Sequence, residues 1–151
     1  MHWIRVARLF VLPLAVAFLA LYAGGCDASH DPEVSIIDLK VGDGDRAEPG
    51  MELWVYYTGW LWHVNGTPFD SLQPPSPPTK FTLGDGRYIK GWNMGIQGMQ
   101  VGGSRLITIP PELGYGNTVI RDQQDTTIVL IPANTTLVFE VELVDAVAPE
   151  Q

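Results

Sequence analysis

Tyr88-Ile89-Lys90-Gly91-Trp92-Asn93-Met94-Gly95-Ile96-Gln97-Gly98-Met99 decides how the rest of this chain is read. Trp92, Ile96 and Met99 stand at i, i+4 and i+7 and so share one face of a helix. Beyond the N-terminal region no other stretch has so clear a helical stripe. Gly91, Gly95 and Gly98 each cost about 0.5–1 kcal/mol against alanine in a helix interior. A helix this short and glycine-rich does not form alone in water. The segments on both sides read as strands. The expectation is therefore an α+β fold, one short helix enclosed by an antiparallel sheet, with Trp92 at the entrance. From the stripe alone, Trp92 also reads as an ordinary core aromatic.

Working outward, Ser104 to Ile109 is a strand that Pro110-Pro111 ends. A turn follows at Leu113-Gly114-Tyr115-Gly116, and Asn117 to Leu130 reads as a long loop. The last strand runs from Thr136 to Asp145. Leu137, Phe139, Val141 and Leu143 alternate there with Val138, Glu140, Glu142 and Val144, one face buried and one exposed. On the other side of the helix, Thr79 to Leu83 is a short strand and Gly84-Asp85-Gly86 a turn. Leu72 to Pro78 is proline-rich, a stiff surface loop or a docking motif. Glu52 to Trp62 is the strongest strand. Leu53, Val55 and Tyr57 take one face; Trp54, Tyr56 and Thr58 take the other. Asn65-Gly66 predicts a hairpin turn that returns the chain along Thr67 to Ser71. Val34 to Lys40 is the first strand, and Val41 to Asp45 a turn.

The first 25 residues read as an address label. Arg5 and Arg8 precede an apolar run from Leu9 to Leu21, and small residues lead to Cys26. That is the plan of a secretory signal peptide, with an uncleaved anchor as the other reading. Residues 26–33 then form a tether and 34–147 one domain. Cys26 is the single cysteine, so no internal disulfide holds the fold. Its setting resembles the lipobox of bacterial lipoproteins, in which the cysteine is acylated. Ala23 stands where a leucine is usual, and ordinary cleavage leaving a free thiol is the alternative.

Nine basic side chains face 17 acidic ones, a net charge of −8 that grows by two when Arg5 and Arg8 leave. Such a surface disfavours nucleic acid and offers anionic lipid no basic cluster. Any membrane link is expected through the lipid alone. His2, His30 and His63 have no metal-ligand spacing, and the aspartates of residues 41–45 lack the pattern of a calcium loop. No metal or cofactor is expected.

The ordered motifs resemble the FKBP-type peptidyl-prolyl cis-trans isomerases. The resemblance rests on Val55-Tyr56-Tyr57-Thr58-Gly59, Phe69-Asp70-Ser71, Phe81-Thr82-Leu83-Gly84 and Tyr88-Ile89-Lys90-Gly91-Trp92. It continues through Gly98 to Arg105, Ile109 to Gly116 and Ile131 to Phe139, and spans about residues 34–146. The family fold it implies is a twisted antiparallel sheet of five or so strands around one short helix. It also implies a pocket. Trp92 would be the floor, and Tyr57, Phe69, Ile89 and Phe139 the apolar walls. Asp70 would be a buried carboxylate beside Tyr57, Tyr115 a hydroxyl reaching the ligand from its loop, and Tyr88 and Ile131 the rim. The expected catalytic set is thus Tyr57, Asp70, Trp92, Tyr115 and Phe139, with Phe69, Tyr88, Ile89 and Ile131 binding substrate.

The implied activity is isomerisation of X-Pro bonds in exported proteins, at the periplasmic face of a bacterial membrane. The amide twists out of plane against a barrier of about 20 kcal/mol. An apolar pocket favours the twisted form, and no covalent intermediate is needed. Partners are proline-containing polypeptides and FK506-like macrolides, and the expected state is a monomer. The alternative is a module of the same fold that holds proline segments with little turnover. Thr79, where the family often has an aromatic, Arg87, where an acid is frequent, and the lengthened loop before Ile131 are the departures.

Overall fold

The computed structural model describes residues 31–149. The signal-peptide segment, Cys26 and most of the tether lie outside them. Eight strands and one α-helix follow in order: β1 Ser35–Lys40, β2 Glu52–Leu61, β3 Asp70–Leu72, β4 Thr79–Thr82, α1 Lys90–Ile96, β5 Ser104–Ile109, β6 Ile120–Arg121, β7 Val129–Ile131 and β8 Leu137–Val147, with a single 3-10 turn at Pro111–Leu113 after β5. The main sheet is antiparallel in the order β1-β5-β8-β2-β3. β3 and β4 share the remaining flank of β2: β3 pairs Tyr57 to Gly59, and β4 pairs Glu52 to Val55. The sheet thus has the expected five positions across, with one flank divided by the proline-rich loop.

The alternation of β2 and β8 builds the core. Gly59 pairs Phe139, Tyr57 pairs Val141, Val55 pairs Leu143 and Leu61 pairs Leu137. Leu53, Val55, Leu137, Val141 and Leu143 are fully buried on this inner face. Val138, expected on the exposed face, is also buried. It pairs Trp60 on one side and Thr108 on the other, and these half-buried neighbours shield it. β1 is an edge strand whose Ile36, Ile37 and Leu39 stay exposed.

Helix α1 lies on β5, and its glycines explain the approach. A Cβ at Gly91 would run into the Ile109 side chain, and one at Gly95 into that of Ile107. Two glycines at i and i+4 give the helix a smooth face that seats directly on the two isoleucines. Trp92 and Ile96 are buried as the stripe predicts. Met99 is buried too, but the helix has ended at Ile96. Gly98 adopts φ +79°, a left-handed conformation that favours glycine, and this turn delivers Met99 to the core.

Arg105 of β5 closes the helix C-terminus. Its Nη1 donates to the Gly95 carbonyl at 2.8 Å and the Gln97 carbonyl at 3.2 Å, and its Nε to Asp38 of β1 at 2.6 Å. The last carbonyls of a helix lack internal donor partners, and a cation there also meets the negative end of the helix dipole.

Two local expectations differ. Asn65-Gly66 does not make a tight hairpin. The ladder leaves off at Gly59–Asp70, so a long loop joins β2 to β3, and Pro68 has no ladder donor to extend it. The segment 117–130, expected as loop, holds the short β6–β7 hairpin, with Ile120 paired to Ile131.

Candidate functional site

A cavity of about 270 Å³ opens between β2, β3, the start of α1 and the loop after β5. Tyr57, Phe69, Asp70, Thr79, Arg87, Tyr88, Ile89, Trp92, Tyr115 and Phe139 line it. The structure therefore brings together every pocket residue expected from the sequence except Ile131. That side chain is 3 % exposed and belongs to the core beneath the β6–β7 hairpin, not to the rim.

Trp92 sits at the centre of an aromatic cluster. Its ring centroid lies 5.1 Å from Phe139 and 5.5 Å from Tyr57, both edge-on, and Tyr88 stacks on it at 6.0 Å with a 20° tilt. Phe81 backs both Tyr88 and Trp92. Edge-on and offset contacts suit the ring quadrupoles and hold the group rigid. The Phe69 and Phe139 rings meet across Gly59, where a Cβ would come within 2.8 Å of either ring. Gly59 is a shaping residue that sequence reading passes over. The signal was there, since a glycine inside a strand marks a close approach.

Tyr57 donates its hydroxyl hydrogen to Asp70 Oδ2 at 2.7 Å. Burial, then the hydrogen bond to Asp70 and its negative charge, hold the Tyr57 phenol well above its ordinary value of 10.0. Burial and Asp70 push the Tyr115 phenol up as well. Both stay neutral donors at physiological pH. Asp70 departs from expectation: it is exposed, because β3 is a three-residue edge strand and the cavity mouth is open beside it. Its carboxylate orients Tyr57 from the solvent side.

Two donors on residues that line the cavity lack acceptors. The Ile89 backbone N–H, immediately before α1, donates to no protein group among the described residues. Neither does Trp92 Nε1, although Trp92 is only 4 % exposed. Asn93, which the sequence reading did not single out, fixes the rim. Its Oδ1 accepts from the Gly84 N–H at 3.0 Å, and its Nδ2 donates to the Tyr88 and Ile89 carbonyls. An asparagine in a short helix carries no pattern that could have revealed this.

Among the described residues no cluster of three or more His, Cys, Asp or Glu side chains is arranged to hold a metal. What the site offers is an apolar, aromatic-walled space, one carboxylate engaged with a phenol, and a free backbone donor at the rim.

The family model for FKBP-type peptidyl-prolyl cis-trans isomerase matches residues 44–144. An FK506-binding protein of Neisseria meningitidis is 47 % identical over 108 residues, covering 72 % of this chain and 91 % of that protein. The 39 kDa FK506-binding nuclear protein of Drosophila melanogaster is 46 % identical over 121 residues, 77 % of this chain but 31 % of that larger protein. Among solved structures, a peptidyl-prolyl cis-trans isomerase of Pseudomonas syringae superposes with a TM-score of 0.62 at 29 % identity, covering 76 % of this chain and 75 % of that one. AtFKBP13 superposes at 0.64 with 35 % identity, over 74 % and 91 % of the two chains. Likeness that runs from the turn before β2 into β8, in sequence and in fold, makes this chain a member of the FKBP-type peptidyl-prolyl cis-trans isomerase family.

Proposed function

We propose that this isomerase turns X-Pro bonds of exported polypeptides in the cavity floored by Trp92. The observation that carries the reading is the pairing of that aromatic cavity with the unengaged Ile89 N–H on its rim. Planar amides are stabilised by polar solvation. Transfer of the prolyl ring and its amide into the ring cluster removes part of that solvation and favours the twisted amide. The Ile89 N–H receives a substrate carbonyl and fixes the backbone as the bond turns. Tyr57 and Tyr115 present neutral hydroxyls. Asp70 sets the orientation of Tyr57 and takes no proton. No bond to the enzyme forms, so each tenfold in rate asks about 1.4 kcal/mol of differential stabilisation.

Clients are proline-containing segments, and FK506-like macrolides fit the same cavity. Cys26 is the lipid attachment point, placing a monomeric domain on the periplasmic face of a membrane. The sequence of residues 1–26 supports this; a Cys26→Ser chain that still incorporates labelled fatty acid would refute it. Turnover of X-Pro peptides by the purified protein, compared with Tyr57→Phe, Asp70→Val and Phe139→Ala, tests the catalytic reading. The expected result is a rate above background that falls in all three. Thr79 lining the cavity in place of an aromatic favours the second reading, a module that holds proline segments with little turnover. A folded protein that binds such peptides without accelerating them would establish it.

A further inference from the structure

The cavity rim carries a cation held in a fixed pose. Arg87 borders the cavity. Its backbone N–H donates to Asp85 Oδ1 at 3.0 Å and its Nε to Asp85 Oδ2 at 2.6 Å. Gly86, between them, has φ +83°, which lets the turn fold the arginine back onto the aspartate. The same turn is tied to α1 through the Gly84 N–H and Asn93, the side chain that also holds the Tyr88 and Ile89 carbonyls. Arg87 is therefore positioned by the residue that positions the substrate-facing rim. Both bonds to Arg87 hold the Asp85 carboxyl below its ordinary value, so the partner stays ionised.

Only the Nε edge of the guanidinium is engaged. Nη1 and Nη2 have no acceptor among the described residues, and the side chain is 72 % exposed. Three residues on, exposed Lys90 has no ion-pair partner among the described residues. Asp85 balances Arg87, so Lys90 leaves this rim segment with a net positive charge. Asp70 supplies the opposite sign across the cavity. The whole chain carries −8, so an acidic peptide is repelled by most of the surface and finds its attraction here. A guanidinium with two free parallel donors matches a carboxylate better than a lysine does.

We propose that Arg87 receives an acidic side chain adjacent to the proline, making Asp- or Glu-flanked X-Pro segments preferred clients. The proposal rests on the isomerase reading above and names the substrate class of that site. An exposed charge contact is worth about a three- to fivefold preference at low salt. Salt near 1 M shortens the screening length to about 3 Å and removes most of it.

The test uses peptide pairs identical except for Glu or Gln, placed before the proline in one series and after it in another. The kcat/KM ratio, Glu over Gln, is read for the wild-type chain, Arg87→Gln, Arg87→Lys and Arg87→Glu, at low and high salt. One series should give a ratio of about three to five at low salt. The ratio should collapse toward one in Arg87→Gln and at high salt, recover in part in Arg87→Lys, and fall below one in Arg87→Glu. A wild-type ratio of one in both series overturns the proposal, as does a preference that Arg87→Gln leaves intact. A protein that turns over no peptide would instead refute the isomerase reading. The same Glu/Gln ratio is then read from peptide affinities by calorimetry, against the same variants, and decides the charge preference separately.

Discussion

The two ends of α1 are built to opposite rules. At the C-terminal end every feature closes. Gly95 lies against Ile107, the Gly95 and Gln97 carbonyls accept from Arg105, and Asp38 engages the same guanidinium. At the N-terminal end, groups are left open. The Ile89 N–H and Trp92 Nε1 have no acceptor among the described residues, and the rings around Trp92 border a cavity. One helix of seven residues thus joins a sealed region to an unfinished one. The sealed end supplies the rigidity that a site with unmet donors and unfilled space cannot supply for itself.

That contrast predicts which substitutions cost stability and which cost rate. Gly95→Val has the largest effect, because the new side chain must displace Ile107 or lift the helix. It should destabilise by about 3 kcal/mol, read as a lowered denaturation midpoint. Arg105→Leu comes next. It strands two carbonyls and Asp38, but Asp38 is 44 % exposed and water can reach it, so the loss is about 2 kcal/mol. Both variants should retain turnover per folded molecule at temperatures where they are folded. Loss of turnover from a fully folded Arg105→Leu would break the comparison. At the open end, Tyr57→Phe removes one hydrogen bond to an exposed carboxylate, costing about 1 kcal/mol of stability. Its kcat/KM should fall about tenfold, equivalent to about 1.4 kcal/mol in the transition state.

The smallest effect is one of pH. Folding raises the Tyr57 phenol above its ordinary value of 10.0. Its contribution is therefore complete below pH 10 and is lost as the pH rises above that. Tyr115 titrates in the same sense. The denaturation midpoint should drop above pH 10, and Tyr57→Phe should flatten part of that drop. An equal slope in the variant would assign the drop to other groups.

How much of this was legible in the sequence depended on how local each signal is. The alternation in β2 and β8 is a property of single segments, and it placed the core face correctly at Leu53, Val55, Leu137, Val141 and Leu143. The helical stripe placed Trp92 and Ile96, while Met99 arrives by way of Gly98 after the helix has ended. Gly91 and Gly95 read only as costs, because the isoleucines that require them sit on a strand a dozen or more residues away. Asn117 to Leu130 read as loop because its middle, Asp122 to Thr127, has no strand character. The hairpin is held by pairing at its two ends. Family resemblance located the cavity residues, but neither the exposure of Asp70 on a short edge strand nor the withdrawal of Ile131 into the core follows from residue type. Asn93 carried no signal, since its role is three hydrogen bonds fixed by tertiary structure.

The order β1-β5-β8-β2-β3 also sets a timetable. The last strand to be synthesised is the middle of the sheet, flanked by β5 and β2. A growing chain on the ribosome can form β2 with β3 and β4, and β1 with β5, but the two halves have nothing between them until Val147 has emerged. Closure therefore waits until β8 has been made, and pairings this distant in sequence then take milliseconds to seconds. Until then the apolar faces of β2 and β5 are bare. Until β8 is in place, the unclosed domain stays open to chaperones or to threading through a pore.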